Sequence, residues 1–212
     1  MNDLYRCVPL TSDIHHLKEI EDFTVDRESD VSGIKDEIIG LEASLKRCAW
    51  DDDSNGEVKI YLIKDTLTND IAAYFGLKAG MVIDNEYGMP SEEDKKEALA
   101  ELNVKLVSAV TPGIEISHFA VNDNYRRKAG KNGTAVRGLG NYFYPAFIYP
   151  IIRDVSERIG VRMIYLYAAG DDHLVNYYKE VFKFNESDLN DFYMPLQPGY
   201  DGGCKFMYQI IS

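Results

Sequence analysis

Between a strand-like run and a long amphipathic helix, the chain gathers cations and glycines into one short stretch, and that stretch restricts what the fold can be. Arg126, Arg127, Lys128, Lys131 and Arg137 place five positive charges within twelve residues that hold no acidic side chain, in a protein of net charge −12. Gly130, Gly133, Gly138 and Gly140 lie in the same stretch or just beyond it. Glycines let backbone N–H groups approach a ligand, and a helix N-terminus favours an anion, so a strand, such a loop and then a helix suit phosphate binding. A helix terminus contributes only about 0.3–1 kcal/mol at an exposed site, so the cations are needed for a firm hold on polyphosphate. The competing reading is a flexible basic surface loop. Two phosphate motifs fail on spacing. A Walker A loop would need Gly where Tyr125 stands and Ser or Thr where Asn132 stands, and Gly138-Leu139-Gly140 is followed by Asn141-Tyr142-Phe143 rather than by a third glycine in register.

The flanking patterns set the fold class. Tyr5–Leu10 reads as a strand, and Thr11-Ser12-Asp13 supplies cap chemistry for a helix carrying Ile14, Leu17 and Ile20. A second helix is predicted over Val31–Lys46 from Ile34, Ile38, Leu41 and Leu45, and Asp51–Gly56 reads as an acidic surface turn without the pattern of a calcium loop. Val58–Ile63 and Ile71–Ala79 form an antiparallel hairpin across the polar segment Asp65–Asp70. Ser91–Leu102 reads as a charged helix, part of an insertion near residues 84–104. Ile114–Val121 is a strand. Phe143, Phe147, Ile151, Val155 and Ile159 mark a long helix in which Pro145 and Pro150 remove backbone donors. Val161–Ala168 is a strand covered on both faces, Asp172–Val181 a helix, and residues 204–210 an alternating strand. The expectation is one domain over 1–212, of α/β (α+β) class, with a mixed, mostly antiparallel sheet flanked by helices.

Composition narrows the partners. Cys7, Cys48 and Cys204 are odd in number, far apart and without CxxC spacing, which argues for a reducing cytoplasm and against a disulfide frame or zinc site. The opening Met1–Arg6 leads into no apolar run, and no stretch approaches the roughly 20 apolar residues of a membrane helix, so neither a secretory signal nor a membrane is expected. The strongly acidic balance argues against nucleic acid as main partner and suits a cationic amine. Oligomeric state stays open, a homodimer included.

Several stretches resemble the GNAT (GCN5-related) N-acetyltransferases. Ile116–Arg126 resembles their fourth strand and the following turn, and Arg137-Gly138-Leu139-Gly140 resembles the start of their Gln/Arg-x-x-Gly-x-Gly/Ala pyrophosphate loop. Ile164–Ala169 is similar to their fifth strand, Leu174–Phe184 to the next helix, and Arg6–Asp13 to the family's usual start. Three departures stand out: about eleven residues separate Arg126 from Arg137, Tyr142 replaces the last small residue of the motif, and Lys183 stands where Gly precedes Phe184.

The resemblance implies acetyl-CoA in a gap where the fourth and fifth strands splay apart, with no metal. Backbone groups of Phe119, Ala120 and Val121 would hold the pantetheine arm as an added strand does. Arg137, Gly138, Leu139, Gly140 and Asn141, with Arg126 or Lys131, would hold the pyrophosphate, and Asn176 would also meet the cofactor. An amine acceptor must lose a proton, for which Glu115 is the candidate base and His118 the alternative. Simple alternation puts these two on opposite faces. Tyr178, or else Tyr177, would return a proton to the CoA thiolate, an uphill transfer of about 2 kcal/mol at ordinary pKa values. Core packing is the competing role for both tyrosines. The rival functions are a non-catalytic acyl-CoA-binding module and a tRNA-directed acetyltransferase toxin.

Overall fold

The computed structural model describes residues 4–26, 40–84, 109–130, 134–187 and 203–211. Its strands are β1 (Tyr5–Pro9), β2 (Lys59–Asp65), β3 (Ile71–Asp84), β4 (Ala109–Val121), β5 (Met163–Ala168), β6 (Asn185–Glu186) and β7 (Lys205–Ile210). They form one seven-stranded sheet in the order β1-β2-β3-β4-β5-β7-β6. Every neighbouring pair is antiparallel except β4 and β5. The helices are α1 (His16–Glu19), α2 (Leu41–Arg47), α3 (Ala49–Ser54), α4 (Asp123–Ala129), α5 (Leu139–Phe143), α6 (Tyr149–Ile159) and α7 (Asp172–Phe182). The mixed, mostly antiparallel sheet with flanking helices is the architecture expected from the sequence.

Each face of the sheet has its own core. On one, Ile114, Ile116, Ile164, Leu166 and Ala168 pack with Leu139, Phe143, Ile148, Ile152, Val175 and Phe182 of the following helical segments. On the other, Ile60, Leu62, Tyr74 and Ala120 pack with Leu10, Ile20, Phe23 and Leu45. The unbroken apolar run of β5 follows from this layering. Its alternate residue Tyr165 joins Val82 and Phe206 on the face opposite the α6 core.

Several local expectations are corrected. The first helix is a series of short turns, Leu10–Ser12, α1 and Ile20–Asp22, and Ile14 is 60% exposed while Ile20 is buried. Asp13 does not cap α1, whose N-cap is His15; its carboxylate accepts from the His15 N–H at 2.9 Å in the turn ahead of the helix. The acidic run is not a surface turn: Asp51, Asp52 and Asp53 lie within α3, and buried Asp53 takes a 2.6 Å ion pair from Lys59. Leu41–Lys46 is helical as expected, whereas 27–39, the Ser91–Leu102 helix and most of the insertion near 84–104 lie outside the described residues.

The long helix also departs from its predicted stripe. Pro145 cannot bond the Asn141 carbonyl, nor Pro150 that of Ala146, and the chain answers with a π turn over Tyr144–Ile148 in which the Tyr149 N–H reaches the Tyr144 carbonyl. The wider turn adds one residue to the period. The buried positions therefore run Phe143, Ile148, Ile152, and Ile159 ends exposed. In β7, Phe206 and Met207 are both buried, one on each face, while Ile210 is exposed.

One buried charge ties the N-terminal turns to the sheet. Lys64 of β2 is 2% exposed and its ammonium meets Glu19 at 2.6 Å, and Glu19 also accepts from Asn69 at 2.9 Å. Removing one partner of a buried pair leaves an uncompensated charge, typically at a cost of about 3–5 kcal/mol. Glu19→Ala is expected to lower unfolding free energy by about 3 kcal/mol because Glu19 itself is partly exposed, and Lys64→Met by clearly less; urea denaturation of the two variants checks the order.

Candidate functional site

The site is defined by where the sheet comes apart. β4 and β5 pair in parallel over only Gly113↔Met163, Ile114↔Ile164 and Glu115↔Tyr165. Beyond Glu115, β4 continues to Val121 bonded to β3, and β5 continues to Ala168 bonded to β7, with no ladder between them. The backbone of residues 116–121 therefore borders an opening on its β5 side. Phe119, Ala120 and Val121, the proposed pantetheine contacts, all lie on this arm. Their side chains divide: Phe119 and Val121 meet the α6-side core, and Ala120 the other.

A bulge re-aims the middle of β4. His118 pairs with Gly76 and Ile116 with Leu77, leaving Ser117 as the extra residue. Alternation is reset there, so Glu115 and His118 share one face, contrary to the expectation of opposite faces. Gly76 leaves the space that Ser117 and His118 need: a Cβ on it would lie 2.9 Å from both the Ser117 hydroxyl and the His118 ring. His118 is held through both nitrogens, Nδ1 by Ser117 Oγ at 2.9 Å and Nε2 by Ser44 Oγ at 3.1 Å. Burial, with the Lys78 charge adding to it, lowers the His118 pKa to about 4. A neutral imidazole whose two nitrogens are already bonded is a weak base for an ammonium ion, which favours Glu115. Glu115 is 4% exposed, not at an open edge, and sits opposite Tyr165 at the last paired position before the strands part.

The cation-rich stretch is partly structural. Arg126, Arg127 and Lys128 belong to α4 rather than to a loop, with the Asn122 side chain capping it at 3.0 Å from the Asn124 N–H. Arg126 closes the insertion on itself: its Nε donates to the Val136 carbonyl at 2.9 Å, its Nη1 meets Asp123 at 2.6 Å, and its carbonyl accepts from the Val136 N–H at 3.0 Å. Arg127 pairs with Asp26. Lys131 lies outside the described residues. Arg137 is exposed with no partner among the described residues, directly before Gly138, whose φ of +74° suits glycine at the start of α5. Leu139 is buried in the core and fixes the turn from below.

Gly140, Asn141, Phe119 and Tyr177 converge. A Cβ on Gly140 would sit 3.2 Å from the Tyr177 hydroxyl and 3.8 Å from the Phe119 ring, and that hydroxyl donates to the Asn141 side chain. Asn176 is exposed on α7. The two candidate acids thus differ. Tyr177 is bound to the helix start, whereas Tyr178 lies among Tyr177, Phe182 and Phe184 with no hydrogen bond from its hydroxyl to a described residue. Burial pushes the Tyr178 pKa up to about 12, so donation to a thiolate becomes uphill by about 5 kcal/mol without bound ligand. Lys183, in the position of the family's glycine, has φ of +62° and caps α7 in the left-handed conformation glycine usually takes. No local sequence signal marks Tyr165, Ser44 or Lys78, because each joins the site only through strand register or a helix from elsewhere in the chain.

A splayed fourth and fifth strand opening towards a glycine-started helix is the fold of the GNAT N-acetyltransferases. Among solved structures, the chain is similar to a tyrosine-to-phenylalanine mutant of the toxin AtaT, with 12% identity over 99% of this chain and 91% of that one and a TM-score of 0.63. It is also similar to AtaT complexed with acetyl-methionyl-tRNAfMet (14% identity, 85% and 86% covered, TM-score 0.55) and to a tyrosine-to-phenylalanine mutant of KacT (13%, 98% and 95%, 0.55). No protein-family model and no curated protein matches the sequence. No described helix is long and apolar enough to cross a membrane.

His118 generates a pH prediction. Its folded pKa of about 4 lies below the unfolded value of about 6.5, so between those pH values the unfolded chain binds the extra proton. Its contribution, of order 3 kcal/mol, is present above about pH 6.5 and is lost as pH falls towards about 4. Urea denaturation at several pH values is expected to show this slope, and His118→Gln to remove it.

Proposed function

We propose that the chain is an acetyl-CoA-dependent N-acetyltransferase that acts on a primary amine. The observation that carries the reading is the parting of β4 and β5 directly after Glu115, within a fold that follows AtaT over 99% of the chain. The unpaired arm at Phe119–Val121 takes the pantetheine amides as an added strand would. The helix start at Gly138–Asn141, with Arg137 beside it, takes the pyrophosphate through backbone N–H groups and one free guanidinium. Glu115 accepts the proton of the attacking ammonium, directly or through water. The nitrogen adds to the thioester carbonyl, the C–S bond breaks, and Tyr178 gives its proton to the departing thiolate. Holding both reactants in one geometry supplies much of the acceleration.

A second reading takes the acceptor to be the amino group of an aminoacyl-tRNA. Its support is the likeness to a toxin complexed with acetyl-methionyl-tRNAfMet. Charge counts against it. The net charge is −12, and Arg126 and Arg127 are already neutralised by Asp123 and Asp26. A third reading, a binding module without turnover, predicts acetyl-CoA binding with no thiol release.

The deciding experiment is CoA thiol release against polyamines, aminoglycosides, amino acids, peptides and aminoacylated tRNA. Release with a free amine supports the first reading. Release only with aminoacyl-tRNA, weakening steeply with salt, supports the second, and binding without release the third. Tyr178→Phe is expected to lower kcat at least tenfold while the Kd for acetyl-CoA stays within about twofold. Arg137→Ala is expected to weaken acetyl-CoA binding about tenfold, as losing a hydrogen bond to a charged group does, whereas Arg126→Ala acts on stability instead; calorimetry on the two variants separates these outcomes.

A further inference from the structure

Gln209 is a polar residue in a core-facing row of β7. Its neighbours in that row, Met207 and Ile211, pack against the α6-side core, whereas the Gln209 amide bonds in two directions. The Tyr144 hydroxyl donates to its Oε1 at 2.8 Å, and its Nε2 donates to the Phe182 carbonyl at 3.2 Å. A carbonyl only accepts, so the partners fix which way the amide lies. Phe182 ends α7, where the last carbonyls have no partner within the helix; Lys183 meets another of them, that of Glu180, at 2.6 Å. The Gln209 backbone belongs to the fork. It pairs with Ile164 of β5, which pairs in turn with Ile114 of β4, one rung before Glu115 and Tyr165. A single side chain therefore ties the end of α7 and the start of the π turn to the strands that carry the opening.

The rings at this end of α7 show what the tie controls. Tyr144 stacks on Phe182 with centroids 4.3 Å apart and meets Phe184 edge-on at 6.0 Å. The same two rings hold Tyr178, at 5.8 and 6.0 Å. The N–H groups of Lys183 and Phe184 both return to the Tyr178 carbonyl, so Tyr178 begins the turn whose last carbonyl Gln209 meets. The Tyr178 hydroxyl bonds to no described residue, so ring contacts rather than a polar partner aim it. We propose that Gln209 is a positioning residue for the proton donor: by holding the Tyr144 hydroxyl and the Phe182 carbonyl against the fork, it sets where the Tyr178 hydroxyl meets the departing thiolate. This rests on the acetyltransferase reading above, with Tyr178 as its acid. Proton transfer needs a heavy-atom separation of about 2.6–3.2 Å, and a misplacement of about 1 Å from a residue away from the chemistry can cost on the order of a hundredfold. An acid held by packing alone gains from a fixed support behind the packing rings. An apolar side chain would fill the same place on β7 without leaving a polar group to satisfy, so filling the core does not account for an amide there.

Gln209→Met keeps a side chain of similar length and removes both bonds. In the thiol-release assay with whichever panel acceptor supports turnover, it is expected to lower kcat about tenfold with the acetyl-CoA Kd within about twofold. On a Tyr178→Phe background it should have no further effect, because Gln209 acts through Tyr178. Tyr144→Phe keeps the ring stack and breaks the bridge by one hydroxyl. It is expected to reproduce the loss, and it carries the test if Gln209→Met does not fold. A second measurement is independent of turnover. In protein labelled with 13C at tyrosine Cζ, the Tyr178 resonance, identified by its loss in Tyr178→Phe, is expected to stay at its protonated position up to about pH 11 and to begin titrating lower in either bridge variant, as the turn loosens and admits water. A Tyr178 resonance indifferent to both variants overturns the proposal, whatever the activity. Equal losses on the wild-type and Tyr178→Phe backgrounds mean general damage and overturn it too, as does a Kd that weakens in step with kcat. A wild-type protein that binds acetyl-CoA but acetylates no amine defeats the acetyltransferase reading and the positioning role together, whereas full turnover in Gln209→Met and Tyr144→Phe defeats only the latter.

Discussion

The brevity of the β4–β5 ladder is the constraint on which the rest of the site depends. Two antiparallel blocks, β1-β2-β3-β4 and β5-β7-β6, meet through three parallel register pairs and then diverge. An unpaired strand edge inside a sheet is costly, because its N–H and C=O groups have lost their ladder without leaving the protein. The divergence has visible causes. The bulge at Ser117 bends β4, and the contact of Tyr177 with Asn141 and Gly140 sets the α5 start and α7 against the end of the β4 arm. Those elements make the opening a built feature, and an extended polyamide is the ligand whose hydrogen-bonding groups match a bare strand edge.

The same bulge makes the two faces of β4 unequal. Before it, Ile114 and Ile116 face the α6-side core while Glu115 faces Tyr165; after it, Phe119 and Val121 take the core side and His118 and Ala120 the other. One inserted residue therefore gathers the polar groups of the strand on a single face without exposing an apolar one. Gly76, Gly80 and Gly113 complete the arrangement by leaving room for side chains that arrive from neighbouring positions. The polarity of this region is a product of register, not of any local run of polar residues.

That is also why the sequence reveals some of this molecule and hides the rest. Strands such as β2, β5 and β7 announce themselves by apolar runs and alternation, and Arg137-Gly138-Leu139-Gly140 announces a helix start because glycine has a local conformational meaning there. The bulge has no such signature: Glu115-Ile116-Ser117-His118 reads as even alternation, and one extra residue reverses the conclusion about His118. The π turn does the same to the long helix, where the fourfold spacing of Phe143, Phe147, Ile151, Val155 and Ile159 gives way to burial at Phe143, Ile148 and Ile152. Tyr165 is one aromatic in a strand among fifteen tyrosines, and its pairing with Glu115 exists only once two distant strands are in register. Periodicity specifies which face a residue takes only while the period is unbroken.

The cation cluster shows the limit of reasoning from charge. Five positive charges in twelve residues look like a strong field for an anion, yet Arg126 is spent on Asp123 and the Val136 carbonyl, and Arg127 on Asp26. What remains without an ion-pair partner among the described cations of the cluster is Lys128 and Arg137, in a protein of net charge −12. Long-range attraction to a polyanion is therefore weak, and at physiological salt it is screened beyond about 8 Å. In the proposed site, binding of a pyrophosphate would have to come from short-range geometry: N–H groups at Gly138–Asn141 and the Arg137 guanidinium. Such a grip would select a compact anion presented at one place over an extended polyanion, as the proposed nucleotide-tailed thioester offers.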